Sequence, residues 1–382
     1  MNLAHGIRAQ YINAIMKYTQ SLFIIVAITL FGNVQAQNRN YSLEDFYGNN
    51  EALADLTDSL FNSLSEKERV AQMIVTSAGE LGKGDDVVKK LVKDNLIGGV
   101  VYLKGSKESH KRLIDELNSI SKNNGSIPLI NSMDAEPSLF NGRIKGTEEM
   151  INTIEIKTTE QCDSVVKIID KELKSLGIHQ NFAPVCDVSP NNEAIKNRSF
   201  GSDLEQVALL SKQFIESTQE DNIVATAKHF PGHGLVKGDT HKQSVYIDGE
   251  LQELEVYKPL IEGGVICVML AHITVNNNPK YGTQGLPASC SRVIATDLLK
   301  DEMNFKGIVI TDALNIMKAV TILDKAPLKA SMAGSDMILM PIDELETVNW
   351  ILDEMDKNKM YREQVYQSVK KILRLKICLG RI

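Results

Sequence analysis

Eight short apolar runs that do not alternate with polar residues constrain the fold of this chain more than any other feature. They are Met73–Thr76, Ile97–Leu103, Ile127–Ser132, Ile178–Ala183, Ile223–His229, Gly264–Leu270, Gly307–Thr311 and Asp336–Met340. Alternation would mark strands with one face in water. Continuous Val, Ile, Leu and Met instead mark strands buried on both faces, as in a parallel sheet. Between them lie helical patterns: Asp85–Asn95, Lys107–Lys122, Thr158–Leu176, Leu204–Glu220, Leu251–Glu262 and Val293–Met303, with a last helix over about Leu345–Leu375. Eight βα repeats predict an α/β fold, a single (β/α)8 barrel of the TIM type. A doubly wound open sheet shares the same periodicity. The barrel domain is expected over residues 56–382, after a polar lead-in over 37–55.

The first 36 residues read differently. Lys17 precedes the apolar run Leu22–Phe31, and Val34-x-Ala36 follows it. A basic start, a short apolar core and a small-x-small end predict a secretory signal peptide over 1–36, with Met16 as an alternative start. The run is shorter than the roughly twenty apolar residues of a membrane span. No cysteine follows it, so a lipid anchor is not expected. The mature protein is expected near Gln37, exported to the periplasm or beyond and without stable membrane insertion. A net charge of −7 argues against nucleic acid as a partner. The five cysteines (Cys162, Cys186, Cys267, Cys290, Cys378) show no paired spacing and read as buried thiols, neither a disulfide framework nor a zinc site.

In a barrel of this kind the active site lies at the C-terminal ends of the strands. The residues just past each run are Asp134 and Glu136 after the third, and Asp187 and Arg198 after the fourth. Lys228 and His229 follow at the fifth, His272 at the sixth and Asp312 at the seventh. The fifth run continues as Phe230-Pro231-Gly232-His233-Gly234 and then Asp239-Thr240-His241. Three of the chain's seven histidines fall within residues 226–241. Imidazole suits proton transfer and metal ligation alike, but a four-residue spacing across Pro and Gly does not match a helical pair of metal ligands. Asp239 and His241 face the same way in an extended segment, so the carboxylate can hold one ring nitrogen while the other meets substrate. A polar surface loop would look the same. Asp312 is either a helix N-cap or a carboxylate at the barrel mouth available as nucleophile or base. Lys228-His229 is either a structural hydrogen-bonding pair or a clamp for hydroxyl groups.

Lys228-His229-Phe230-Pro231-Gly232-His233-Gly234 followed by Asp239-Thr240-His241 resembles the signature of glycoside hydrolase family 3, and most nearly its single-domain bacterial β-N-acetylglucosaminidase branch. Asn181–Val188, Asn197–Gly201, Val268–His272, Pro287–Ser289, Phe305–Gly307, Ile310–Leu314 and Ala333–Pro341 resemble further family segments in the same order. The resemblance implies a retaining exo-glycosidase that needs no metal or other cofactor and acts on terminal N-acetylglucosamine of peptidoglycan fragments or related glycans. It assigns Asp312 as nucleophile and the Asp239–His241 dyad as general acid/base. It assigns Asp134, Arg198, Lys228 and His229 to the sugar, with His233 and His272 lining or bracing the pocket. Arg143 falls one residue from the family's sugar-binding arginine. The chain departs from the family at Pro137-Ser138, where a Gly-Gly or Trp-Gly pair is usual, so the turn beyond Asp134 must differ. A β-glucosidase-like hydrolase and a non-catalytic carbohydrate-binding barrel are the alternatives. Oligomeric state is not readable.

Overall fold

The computed structural model describes residues 41–188, 192, 194–236 and 245–382, which belong to one compact unit beginning at Tyr41. The expected signal peptide, and both Asp239 and His241, lie outside the described residues. Each of the eight apolar runs supplies a strand: β1 (Ile74–Ala78), β2 (Gly99–Tyr102), β3 (Ile130–Met133), β4 (Gln180–Asn181), β5 (Val224–Phe230), β6 (Cys267–Leu270), β7 (Ile308–Thr311) and β8 (Ile338–Leu339). All are parallel and buried along their length, which is why no alternation shows in the sequence. Consecutive strands are neighbours, and β8 returns to β1 with Ile74 opposite Ile338. The ring closes between β7 and β8, where the Asp336 and Met337 N–H groups donate to Val309 O at 2.7 and 3.0 Å. A sheet that returns on itself is a barrel, so the open-sheet alternative falls.

The helices wrap the outside. Thr159–Leu176 illustrates why they form where they do. Thr158 caps it by accepting from the Gln161 N–H, Gly177 ends it in the left-handed region, and Cys162, Val165, Val166, Ile169, Leu173 and Leu176 turn one stripe inward. Two expectations need correction. The last helix is two, Glu344–Lys357 and Lys359–Cys378, because Asn358 is extended (φ −129°, ψ 99°) and its side chain caps the second helix through the Tyr361 N–H. Val293–Glu302 is a π-helix. Two further helices, Glu51–Ser63 and Glu66–Ala71, precede β1, and the first spans the expected domain start at residue 56.

The N-terminal end of the barrel is closed by buried polar groups. Lys376 Nζ donates to Gln72 Oε1 at 2.6 Å and Gly98 O at 3.0 Å, and burial pushes its pKa down to about 7. Asp336 accepts from Lys300 Nζ and Ser368 Oγ at 3.0 and 2.7 Å. All five cysteines are buried and unpaired, as expected. Among the described residues no helix is long and apolar enough to cross a membrane.

Candidate active site

The strand ends bring most of the expected residues together in two linked clusters. Lys228, the fifth residue of β5, is 1% exposed and lies between two carboxylates. Its Nζ donates to Asp134 Oδ1 at 2.9 Å and is 3.1 Å from Glu136 Oε1. Arg198 holds Glu136 with both arms of its guanidinium, Nε to Oε2 at 2.8 Å and Nη2 to Oε1 at 2.7 Å. Arg143 Nη2 donates to Asp134 Oδ2 at 3.1 Å. Buried charges persist only when paired and hydrogen-bonded, and here each has at least one partner. Burial alone would raise the Asp134 and Glu136 carboxyls, yet Lys228 with Arg143 and Arg198 holds both below the usual carboxylate range. The same pairing outweighs burial for Lys228 and keeps its pKa raised.

Pro137-Ser138 lies in the loop after β3 that joins this cluster. Beyond Asp134 the chain makes a short helical turn, Phe140–Arg143, which carries Arg143 back onto Asp134. Ser138 Oγ donates to Asn197 O and accepts from the Thr153 N–H, both at 2.8 Å. The loop after β3 is thereby tied to the residue beside Arg198.

The second cluster is built on Asp187. Its Oδ2 lies 2.7 Å from His229 Nδ1, and its Oδ1 accepts the His229 and His233 N–H groups at 3.2 and 2.8 Å. The Lys228–His229 peptide is cis, as are Ala183–Pro184 and Phe230–Pro231. Burial opposes ionisation of Asp187, but the adjacent His229 keeps its pKa low. The His229 and His233 rings lie 6.0 Å apart. Burial pushes His233 and His272 down, toward the neutral imidazole. His272 Nε2 lies 3.1 Å from Ala313 O and must donate to it, so Nδ1 accepts from Ser289 Oγ at 2.7 Å.

Asp312 follows β7 and is partly exposed at the barrel mouth. Its N–H donates to Leu270 O at 3.0 Å and its Oδ1 accepts the Ala313 N–H at 2.7 Å. The next helix, Lys318–Thr321, begins several residues later, so Asp312 is not a helix cap. Burial works against its ionisation, yet His229, His272, the Ala313 N–H and Lys228 hold its pKa below the ordinary value. Among the described residues, no ion pair engages its carboxylate.

Asp134, Arg143, Arg198, Lys228, His229, His233, His272 and Asp312 therefore gather at one end of the barrel, while Asp239 and His241 fall outside the described residues. Sequence reasoning placed Glu136 and Asp187 at the mouth without seeing that they anchor the cations and imidazoles. It missed Glu253 entirely. An acid at the start of an amphipathic helix looks like ordinary helix chemistry, and nothing local betrays its burial.

A family model described as the glycosyl hydrolase family 3 N terminal domain matches residues 65–375. A beta-hexosaminidase of Vibrio cholerae is 29% identical over 70% of this chain and 82% of its own length. The beta-hexosaminidase LpqI of Mycobacterium bovis is 29% identical over 72% of this chain and 73% of its own. A solved family 3 beta-N-acetylglucosaminidase from a Paenibacillus species matches with a TM-score of 0.76 at 28% identity, covering 83% of this chain, which spans 63% of that structure. With a family model covering most of its length, the chain belongs to glycosyl hydrolase family 3 and is a glycoside hydrolase.

Proposed function

We propose that this hydrolase removes terminal β-linked N-acetylglucosamine with retention of configuration, through a covalent glycosyl-enzyme on Asp312. The observation that carries the reading is the unequal treatment of the carboxylates at the mouth. Asp134, Glu136 and Asp187 are each committed to a cation or an imidazole, whereas Asp312 is kept ionised and its carboxylate is left to attack. Supporting it, the similar proteins from Vibrio and Paenibacillus carry hexosaminidase names. Lys228, Arg143 and Asp134 present donors and an acceptor suited to vicinal sugar hydroxyls, and His229 Nε2 faces away from Asp187. The Asp239–His241 dyad supplies the proton to the leaving oxygen and then activates water, since an imidazole starts near neutrality and needs only a modest rise from its carboxylate. The leader expected over residues 1–36 and the proposed amino-sugar specificity together support an exported enzyme acting on peptidoglycan fragments.

The test compares aryl β-N-acetylglucosaminide with aryl β-glucoside, using wild type and Asp312→Ala, with the first-formed anomer read by proton NMR. Turnover of the amino sugar giving the β-anomer, and loss of about 10⁴-fold or more in Asp312→Ala, is expected. Turnover of glucoside alone, an α-anomer product, or an active Asp312→Ala would each overturn part of the assignment.

A further inference from the structure

The stretch between β5 and the helix Leu254–Glu262 begins and ends on one carboxyl group. Glu253 stands immediately before that helix but does not cap it, and it is only 3% exposed. Its Oε1 accepts the Val188 N–H at 2.7 Å and the Gly234 N–H at 3.1 Å, and its Oε2 accepts the Leu235 N–H at 3.3 Å. A single side chain thus ties the loop after β4 to the first residues after β5. It also joins residues 234 and 253, between which Asp239 and His241 lie in the sequence.

The chain is shaped to fit this group. Gly232 has φ +129°, and a Cβ there would lie 2.5 Å from Glu253 Cβ and Oε2. A Cβ at Gly234 would lie 1.8 Å from Val188 O. The Pro231-Gly232-His233-Gly234 turn is therefore seated on Glu253, and both glycines are required by contact, Gly232 by conformation as well. Asn192 adds a tie, its Nδ2 donating to His233 O at 2.9 Å and to Val236 O at 2.6 Å. At the far end the Thr274 N–H donates to Val245 O at 3.1 Å, and Tyr246–Asp248 pairs with Thr274–Asn276.

Glu253 has no cationic partner among the described residues. Burial, and next the charge of Asp187, push its pKa up to about 8 despite the three N–H donors. Tyr257, one turn along the same helix, is a further titratable group within electrostatic reach of it. A carboxyl kept in such surroundings without an ion pair is there to accept hydrogen bonds.

We infer that Glu253 is a positioning residue for proton transfer, fixing where the chain enters the Asp239–His241 segment relative to the Asp187–His229 pair and hence to Asp312. The inference rests on the proposed role of that dyad and adds the residue that anchors the chain leading to it. Glu253→Gln keeps an acceptor oxygen and a neutral group, whereas Glu253→Asp keeps the carboxyl but shortens the reach, and Glu253→Ala removes the tie.

The test pairs amide hydrogen exchange with kinetics on aryl β-N-acetylglucosaminides of graded leaving-group acidity. In Glu253→Ala and Glu253→Asp, exchange at Gly234 and Leu235 should quicken by about tenfold or more. Turnover should fall by about 10²-fold on poor leaving groups and by less than about threefold on activated ones, with KM little changed. Glu253→Gln should retain most of the wild-type rate. Equal losses on all leaving groups, or unchanged exchange at Gly234 and Leu235, would overturn the inference. Should Glu253→Ala fail to fold, Glu253→Asp carries the same readouts. A wild type inert toward every β-N-acetylglucosaminide would refute the proposed function instead, and the exchange at Gly234 and Leu235 would still decide whether Glu253 holds the chain.

Discussion

Replacing Lys228 by methionine probes the centre of the site most directly. The substitution keeps the shape of the side chain and removes the one cation that both Asp134 and Glu136 share. Breaking a buried pair by deleting one partner costs about 3–5 kcal/mol. Asp134 retains Arg143 at 3.1 Å and Glu136 retains both arms of Arg198, so the low end, about 3 kcal/mol, is expected. For a domain of this size that is a fall in Tm of about 4 °C. The pH dependence has a definite sign. Both carboxyls have folded pKa values below their unfolded ones, so they contribute stability above the unfolded value, near 4, that is lost only as pH falls through the folded value. Without Lys228 those folded values climb, and the variant takes up protons that the wild type refuses. The gap between the two proteins should therefore stay near its full size from pH 7 down to about pH 4 and shrink below it, where the variant's carboxyls take up protons first, in urea unfolding. Adding Asp134→Asn to Lys228→Met removes the stranded charge and should recover about 1 kcal/mol or more, where additivity would predict a further loss. A gap independent of pH, or a double variant less stable than the single one, would refute this account.

Two further predictions concern the scaffold. Lys376→Met should gain stability relative to wild type as pH falls, because burial has pushed the Lys376 pKa down to about 7 while the unfolded chain takes its proton near 10. Wild-type stability should then rise with pH between those values by up to about 1.4 kcal/mol per unit relative to the variant, and parallel unfolding curves at pH 7.5 and 9.5 would sink the idea. Asn358→Ala should cost about 1 kcal/mol through loss of the cap on the C-terminal helix, measured by urea denaturation, with activity unchanged.

The architecture was legible because a parallel barrel buries both faces of every strand. Even β4, reduced to the polar pair Gln180–Asn181, fell inside a run made apolar by Ile178, Phe182 and Ala183. The break at Asn358 was not legible, because the apolar spacing of the two flanking helices continues in phase while one residue's backbone departs from helical values. The cluster at the mouth was legible as a set of positions but not as a set of pairs. Glu136, Arg198 and Lys228 are distant in sequence, and which cation takes which carboxylate depends on side-chain reach across three strands. Asp312 was ambiguous between cap and nucleophile, and only the delayed start of the next helix removed the cap reading.

The pairing also sets the charge that the site presents to substrate. His229 aside, the mouth gathers the carboxylates of Asp134, Glu136, Asp187 and Asp312 and the fixed cations Lys228, Arg143 and Arg198, while burial favours neutral His233 and His272. The mouth thus carries a small negative excess, which favours a transition state whose sugar ring is becoming a cation. That excess has a consequence for the proton donor. Glu253 shows what happens to one more carboxyl buried at this mouth, since burial, and next the charge of Asp187, push it up to about 8 and it surrenders its charge. A carboxylic acid/base brought onto this mouth would have to change charge within each catalytic cycle against the same repulsion. The proposed histidine–aspartate dyad passes through the same change of total charge, but its negative charge sits on the aspartate, an imidazole's width from the proton being exchanged. The imidazole itself is neutral or cationic where a carboxyl would be anionic or neutral.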